Sequence, residues 1–320
     1  MDISLPEYFI KARTEGWAIG HFNFSTADQL RAIVEAAAEL RSPVMVATSE
    51  GEAEFIGYDQ AAALVKSYQQ EGHVVWLNAD HHKSFESARK AIDAGYDTVL
   101  IDASKLPYEE NIALTKQVVE YAHSSNLSSS QDERLMVEGE LGYLRGSSEV
   151  QEKVEISPVD YTQPEQAADF VAKTGVERLA VVFGNIHGIV TQQQEKLDLE
   201  HFKKIVAAVP NTPIVLHGAS GLSDADVRAA ITAGIANVHI NTELRVAYHD
   251  ALVAELQHDP TQTTPYKFLT PSLEAMKVLV KEKLTLFGSV GIIWKALAGK
   301  HLRFTTSYAM VKSMPRALTE

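Results

Sequence analysis

The stretch WLNADHHKSFESARKAIDAGYDTVLIDAS, residues 76–104, carries the pattern from which the rest of the chain can be read. An apolar strand-like run ends in Asp80, His81 and His82; a segment of helical period follows, and a second apolar run ends in Asp102. Ser84 stands at the N-cap of that helix, with Glu86 and Ser87 in its first turn, because a cap hydroxyl can take up a backbone N–H left free there. Gly95 stands where the helix must end, since glycine adopts the left-handed turn conformation without steric cost. The apolar runs are continuous rather than alternating, which predicts parallel strands covered by helices.

The same unit recurs outward in both directions. Candidate strands are 17–24, 43–49, 74–80, 98–104, 135–142, 178–184, 213–219 and 237–242, which makes eight. Helices are predicted between them, among them STADQLRAIVEAAAEL, capped by Ser25 or Thr26, and SDADVRAAITAGI, capped by Ser223 and stopped by Gly234. Eight strand–helix units over roughly 220–250 residues predict an α/β fold, a (β/α)8 TIM barrel. A doubly wound open sheet fits less well, because no GxGxxG turn follows a first strand. Residues 1–290 are expected to form the barrel, and 291–320, with Lys295, Lys300, Arg303, Lys312 and Arg316, a C-terminal extension of unassigned role. Two stretches break the rhythm: the polar segment 123–134, read as a surface loop, and 143–165, read as a long insertion after the fifth strand.

Composition bounds the chemistry. With 320 residues, 45% hydrophobic and 22% charged, the chain has the make-up of an ordinary soluble domain with a large core. A formal charge of −13 argues against non-specific attraction to nucleic acid or to an anionic membrane. There is no cysteine, so disulfides, thiolate nucleophiles and zinc–thiolate sites are excluded, and any metal must rest on His, Asp or Glu. The opening MDISLPEYFIKARTEG lacks a signal-peptide layout, and no apolar run approaches the length of a membrane span. A cytoplasmic protein is expected.

In a parallel barrel the C-terminal strand ends converge on one rim. Reading those ends in turn gives Asn23, Ser49, Asp80–His81–His82, Asp102, Glu138 and Glu140, Asn185 and His187, His217, and Asn241–Thr242. The opposite ends show no such enrichment. A single strand-end histidine is ordinarily a hydrogen-bonded loop residue. His81, His187 and His217, on the third, sixth and seventh strand ends, together suit an open zinc site of three imidazoles. Asp102 and Glu140 offer oxygens, better suited to a second, harder cation or to orienting the histidines. In LHGASGLSDADV (216–227), small residues precede a helix N-terminus, an arrangement suited to a phosphate. Gly188 would let a phosphate oxygen approach the backbone.

At this point the chain resembles the class II, metal-dependent fructose-bisphosphate and tagatose-bisphosphate aldolase family, over roughly residues 1–290. FNFST, TSEG, ADH, LIDASKLPYEENI, VEGELG, VVFGNIHG, VLHGASGL and INTEL are similar to its successive signatures. The resemblance implies that His81, His187 and His217 bind catalytic zinc and that Asp80 exchanges a proton with the C4 oxygen. It implies further that Asp102 and Glu140 border a second divalent or monovalent cation. Gly188, Gly218, Ser220, Asn241 and Thr242 would surround substrate phosphate, with Asn23 and Ser49 lining the pocket. Breaking a C–C bond beside a ketone leaves charge that must spread onto oxygen as an enediolate, and a Lewis-acidic zinc ion stabilises it. A homodimer or higher even homo-oligomer is implied as well.

Departures stand beside these matches. The family's third-strand signature reads roughly LHLDHG, whereas this chain has Asn78 and His82 at the second and last of those positions. Of the acids usual in the loop after VEGELG, only Glu149 remains to act as a mobile-loop proton donor, with Ser148 before it. The usual lysine–apolar–asparagine before INT is Asn237–Val238–His239. His82 and His239 are therefore expected to alter sugar specificity. The readings in competition are fructose 1,6-bisphosphate cleavage, a tagatose-bisphosphate or other ketose-phosphate aldolase, a metal-dependent hydrolase, and a non-catalytic phosphosugar-binding barrel.

Overall fold

All eight apolar runs form parallel strands of one closed barrel. The computed structural model describes residues 3–124, 135–193 and 195–293. Its strands in chain order are β1 (Ile19–Asn23), β2 (Val44–Ser49), β3 (Val75–His82), β4 (Thr98–Ile101), β5 (Met136–Leu141), β6 (Gly146–Gln151), β7 (Arg178–Val181), β8 (His187–Val190), β9 (Ile214–Leu216) and β10 (Ile235–Ile240). The barrel runs β1-β2-β3-β4-β5-β7-β9-β10 and closes on β1, while β6 and β8 pair separately.

Local chemistry sets the helix ends as expected. Ser84 accepts from the Ser87 N–H at 3.1 Å, and Gly95 closes the same helix at φ 90°. Ser223 accepts from the Asp226 N–H at 3.1 Å at the start of Asp224–Ala233. The last helix, Thr270–Leu286, packs on Ala27–Leu40, where Lys277 pairs with Glu35 at 2.9 Å and Glu39 at 3.0 Å. A helix at Leu5–Glu15 helps close the bottom of the barrel: Tyr8 and Phe9 pack in one apolar cluster with Trp17, Trp76 and Met136. None of the helices of the described residues is long and apolar enough to cross a membrane.

Two features differ from the sequence expectation. Strand β3 runs on through His81 and His82, because His81 takes a left-handed φ of 47° and the register to β4 shifts between Ala79 and His82. The insertion 143–165 is not plain loop: it carries β6, paired in parallel with β8, and a short turn at Pro158–Asp160. Arg145 grips Asp160 there through two hydrogen bonds of 2.8 Å. Of the loop expected at 123–134, His123 and Ser124 end a helix, and the rest lies outside the described residues, as does 294–320 of the C-terminal extension.

Candidate active site

The barrel mouth encloses a cavity of about 380 Å³. Asn23, Ser49, Asp80, His81, Asp102, Glu140, His187, Gly188, His217, Gly218, Ser220, His239, Asn241 and Thr242 all line it, so most of the rim predicted from strand ends is one surface, with Glu138, Asn185 and His82 buried behind it.

Two imidazoles face each other at its floor. His81 Nδ1 lies 3.0 Å from Asp102 Oδ2, and His217 Nε2 lies 2.9 Å from Glu138 Oε1. A carboxylate accepts, so each of these ring nitrogens carries its hydrogen and the opposite nitrogen is bare. Those bare nitrogens, His81 Nε2 and His217 Nδ1, are 2.9 Å apart. Two lone pairs at that distance repel unless a proton or a metal cation lies against both. Nitrogens sharing a tetrahedral zinc ion stand about 3.3–3.4 Å apart, close to this separation. His187 turns its ring toward the same space, its centroid 4.9 Å from that of His81. His187 belongs to none of the four groupings among the described residues whose ligand atoms lie within 4.8 Å of one another: Asp80–His81–His217, His81–Asp102–Glu140, His21–Asp80–His239 and Glu138–His217–His239.

The electrostatics favour a positive charge at this point. Burial opposes a charge on His81, but Asp80, Glu140 and Asp102 outweigh it and push the ring up to about 10. Burial and the neighbouring Asp102 carboxylate raise Glu140 to about 7. Burial, with His81 and His217 next to it, takes His187 down to about 3, the neutral form that a metal ligand needs. Asp80 Oδ1 and Glu140 Oε2 are buried and lack a hydrogen-bond partner. Two orphaned carboxylate oxygens beside two bare ring nitrogens fit a divalent cation.

Asp80 is held for proton transfer. Asn23 Nδ2 donates to its Oδ2 at 3.0 Å and to Glu52 Oε2 at 2.9 Å. Oδ1 faces His239 Nδ1 at 3.5 Å. Burial works against its charge, yet His81 and His239 hold its carboxyl well below the usual range.

Beyond the imidazoles the wall is backbone. Gly218 has φ 68°, and a Cβ there would lie 2.0 Å from the Ile186 carbonyl oxygen. Gly188 has φ 94°, and a Cβ would lie 2.3 Å from the carbonyls of Ser147 and Glu149. Only glycine fits either place. The short turn Ala219–Gly221 brings Ser220 to the cavity, whereas Ser223 caps its own helix and does not line it. Of the residues expected around a phosphate, Gly188, Gly218, Ser220, Asn241 and Thr242 line the cavity, and the helix start at 223 does not.

This geometry meets its counterpart in known proteins. A family model described as "Fructose-bisphosphate aldolase class-II" matches residues 3–292. The chain belongs to the class-II fructose-bisphosphate aldolase family. It is accordingly an enzyme of the carbon–carbon lyase class, and the family is a metal-dependent one. A fructose-bisphosphate aldolase of Staphylococcus aureus (strain Mu50 / ATCC 700699) is 35% identical over 291 residues, covering 90% of this chain and 97% of that protein. The crystal structure of the YdjI aldolase from Escherichia coli K12 is 33% identical, with a TM-score of 0.76 and coverage of 91% and 99%. A putative fructose-1,6-biphosphate aldolase from Coccidioides immitis, 24% identical with a TM-score of 0.78, covers 91% of this chain and 98% of its own and shows the shared fold.

Against the family pattern, three expected site residues sit differently. His82 is fully buried and does not line the cavity. The left-handed His81 and the register shift turn its ring to the Tyr58 hydroxyl at 3.3 Å, so it packs rather than reads sugar. Glu149 is exposed on β6 and points away from the cavity. Its neighbours Ser147 and Ser148 line the cavity instead, Ser148 lying 3.2 Å from Thr242 Oγ1 and accepting from Arg245 Nη2 at 3.1 Å. The departure at Asn78 lies below the site, where its amide meets His21 Nε2 at 2.9 Å. His239 does line the cavity, stacked on His21 with ring centroids 3.4 Å apart.

The sequence reading missed several residues. Glu52 shares Asn23 with Asp80, and the spacing Ser49-x-x-Glu52 is a capping box that could have revealed it. Arg245, Lys83 and Lys105 line the mouth and supply its cations. Arg178 lies buried inside the barrel, so the strand interiors are not empty of charge as the rim-only pattern suggested.

Proposed function

We propose that this chain is a zinc-dependent aldolase that reversibly splits fructose 1,6-bisphosphate into dihydroxyacetone phosphate and glyceraldehyde 3-phosphate. His81 and His217 hold the ion through their facing nitrogens, and His187 supplies the third ligand from its neighbouring ring. The ion, when bound, supplies Lewis acidity for the negative charge that develops as the C3–C4 bond breaks. Asp80 takes the proton of the C4 hydroxyl as the C3–C4 electron pair moves toward the ketone, giving the aldehyde and an enediolate that takes a proton from water at C3; condensation reverses both transfers. Asn23 holds its second oxygen, so that Oδ1 faces the cavity. Gly188, Gly218, Ser220, Asn241 and Thr242 hold one phosphate, while Arg245, Lys83 and Lys105 at the mouth attract the other. Ser49 lines the substrate wall. Asp102 and Glu140 orient His81 and offer oxygens to a second divalent or monovalent cation. His239, beside Asp80, takes the place from which the sugar hydroxyls are read. Residues 1–290 carry the whole site; the enzyme works in the cytoplasm as a homodimer or higher even homo-oligomer, with no nucleic-acid or membrane partner.

The observation that carries this reading is the pair of bare nitrogens, His81 Nε2 and His217 Nδ1, 2.9 Å apart beside a buried Asp80. Its test is cleavage of the ketose bisphosphate by purified protein with and without a chelator. Loss of cleavage on chelation and recovery on adding zinc is the expected result; trapping of substrate on a lysine by borohydride would overturn it. Comparing kcat/KM for fructose and tagatose 1,6-bisphosphates, which differ only at C4, assigns the sugar; faster turnover of the tagatose sugar would replace the fructose assignment.

A further inference from the structure

Arg178, the first residue of β7, is fully buried inside the barrel. Its Nη1 lies 3.1 Å from Glu138 Oε2 and donates to Asn237 Oδ1 at 3.1 Å; its Nη2 donates to Asn78 Oδ1 at 3.2 Å. Its guanidinium carbon stands 5.2 Å over the Phe9 ring, against the apolar plug at the bottom. Burying a guanidinium costs several kcal/mol unless its partners are well placed, so a cation here calls for an account. Its main partner supplies one. Glu138, also fully buried, uses Oε2 for Arg178 and Oε1 for His217 Nε2 at 2.9 Å. A continuous line thus runs from the plug through Arg178 and Glu138 to His217, whose far nitrogen faces His81.

The two asparagines on Arg178 are informative. Asn78 and Asn237 are both positions at which the chain departs from its family's strand signatures, and both give their amide oxygen to this one guanidinium. These two departures together seat a buried cation.

We propose that Arg178 is a positioning residue for the metal site: by holding Glu138 Oε2 it fixes Oε1 on the His217 Nε2–H and so turns His217 Nδ1, bare, toward the ion. This rests on the zinc reading above and extends it to a residue that touches neither metal nor substrate. A merely space-filling arginine would affect melting temperature alone. A positioning arginine also sets metal affinity and ligand geometry in protein that remains folded.

The experiment is zinc affinity by competition with a chromophoric chelator, on wild type, R178M, E138Q and the double variant. R178M and E138Q are each expected to weaken zinc about 10–100-fold, the usual effect of removing a group that orients a ligand. The double variant should be no weaker than the worse single variant, because the two residues act in series. Cobalt-loaded R178M should show shifted visible bands. Folded R178M with zinc affinity within twofold of wild type, or losses that multiply in the double variant, would overturn the proposal. Should R178M fail to fold, E138Q, which conserves volume, decides by the same twofold limit. Wild-type protein that binds no zinc would overturn the zinc reading itself, and this proposal with it; the wild-type measurement separates that failure from a failure of Arg178.

Discussion

Two layers of the barrel interior are both polar and both buried, yet they are built on opposite terms. In the lower layer, Arg178 meets Glu138, Asn78 and Asn237, and Thr98 donates to Asn78 Oδ1. Charge is balanced there by the protein's own groups, although Arg178 Nε and Glu138 Oε2 make no hydrogen bond. In the upper layer, Asp80, Asp102 and Glu140 crowd three imidazoles, two ring nitrogens confront each other, and two carboxylate oxygens make no hydrogen bond. The lower layer carries its own counter-charge, whereas the upper one gathers carboxylates and ring nitrogens that suit a cation. The contrast separates a polar core from a site.

The predictions break or sharpen that contrast. The largest effect belongs to the upper layer's ligands: His187→Ala and His217→Ala should each lose bound zinc and cleavage together, read by metal analysis alongside turnover. Retained zinc in either would remove that residue from the ligand set. Asp80→Ala should keep zinc yet lose cleavage by about 10²–10⁴, the usual worth of a general acid–base. Near-normal turnover would end its assignment.

Smaller effects lie at the wall. Gly218→Ala must place a side chain in a left-handed conformation, costing about 1–2 kcal/mol, and must also displace the Ile186 carbonyl. It should lower the melting temperature and raise KM for the phosphorylated sugar, while zinc affinity read by chelator competition stays near the wild-type value.

The smallest effect is outside both layers. Asp160 is held below its usual range by the hydrogen bonds from Arg145. A carboxyl whose folded value is depressed stabilises above its unfolded value, and that stability is lost as pH falls through the folded one. Limited proteolysis of segment 143–165 should therefore quicken in acid below the ordinary carboxylate range. Asp160→Asn should be cut at the faster rate throughout, and an unchanged rate would show that the ion pair does not hold the segment.

Much of this was legible in the residues. The eight strands could be read because buried parallel strands are unbroken apolar runs, and the rim because such strands end together. Strand β6 escaped because it is polar and mostly exposed, with no apolar period to mark it. His82 was misplaced because ordinary alternation assumes a regular strand, and the left-handed His81 breaks it. Arg178 was invisible for another reason. A charged residue at the start of a strand normally faces water, and only the closed barrel shows that this one does not.

The central claim is that the upper layer is built around one divalent ion, and anomalous diffraction from zinc-loaded crystals addresses it most directly. The account predicts one strong peak about 2.0–2.1 Å from a nitrogen of each of His81, His187 and His217. A zinc-loaded crystal with no peak at the barrel mouth, or with its peak bound by other residues, would contradict it.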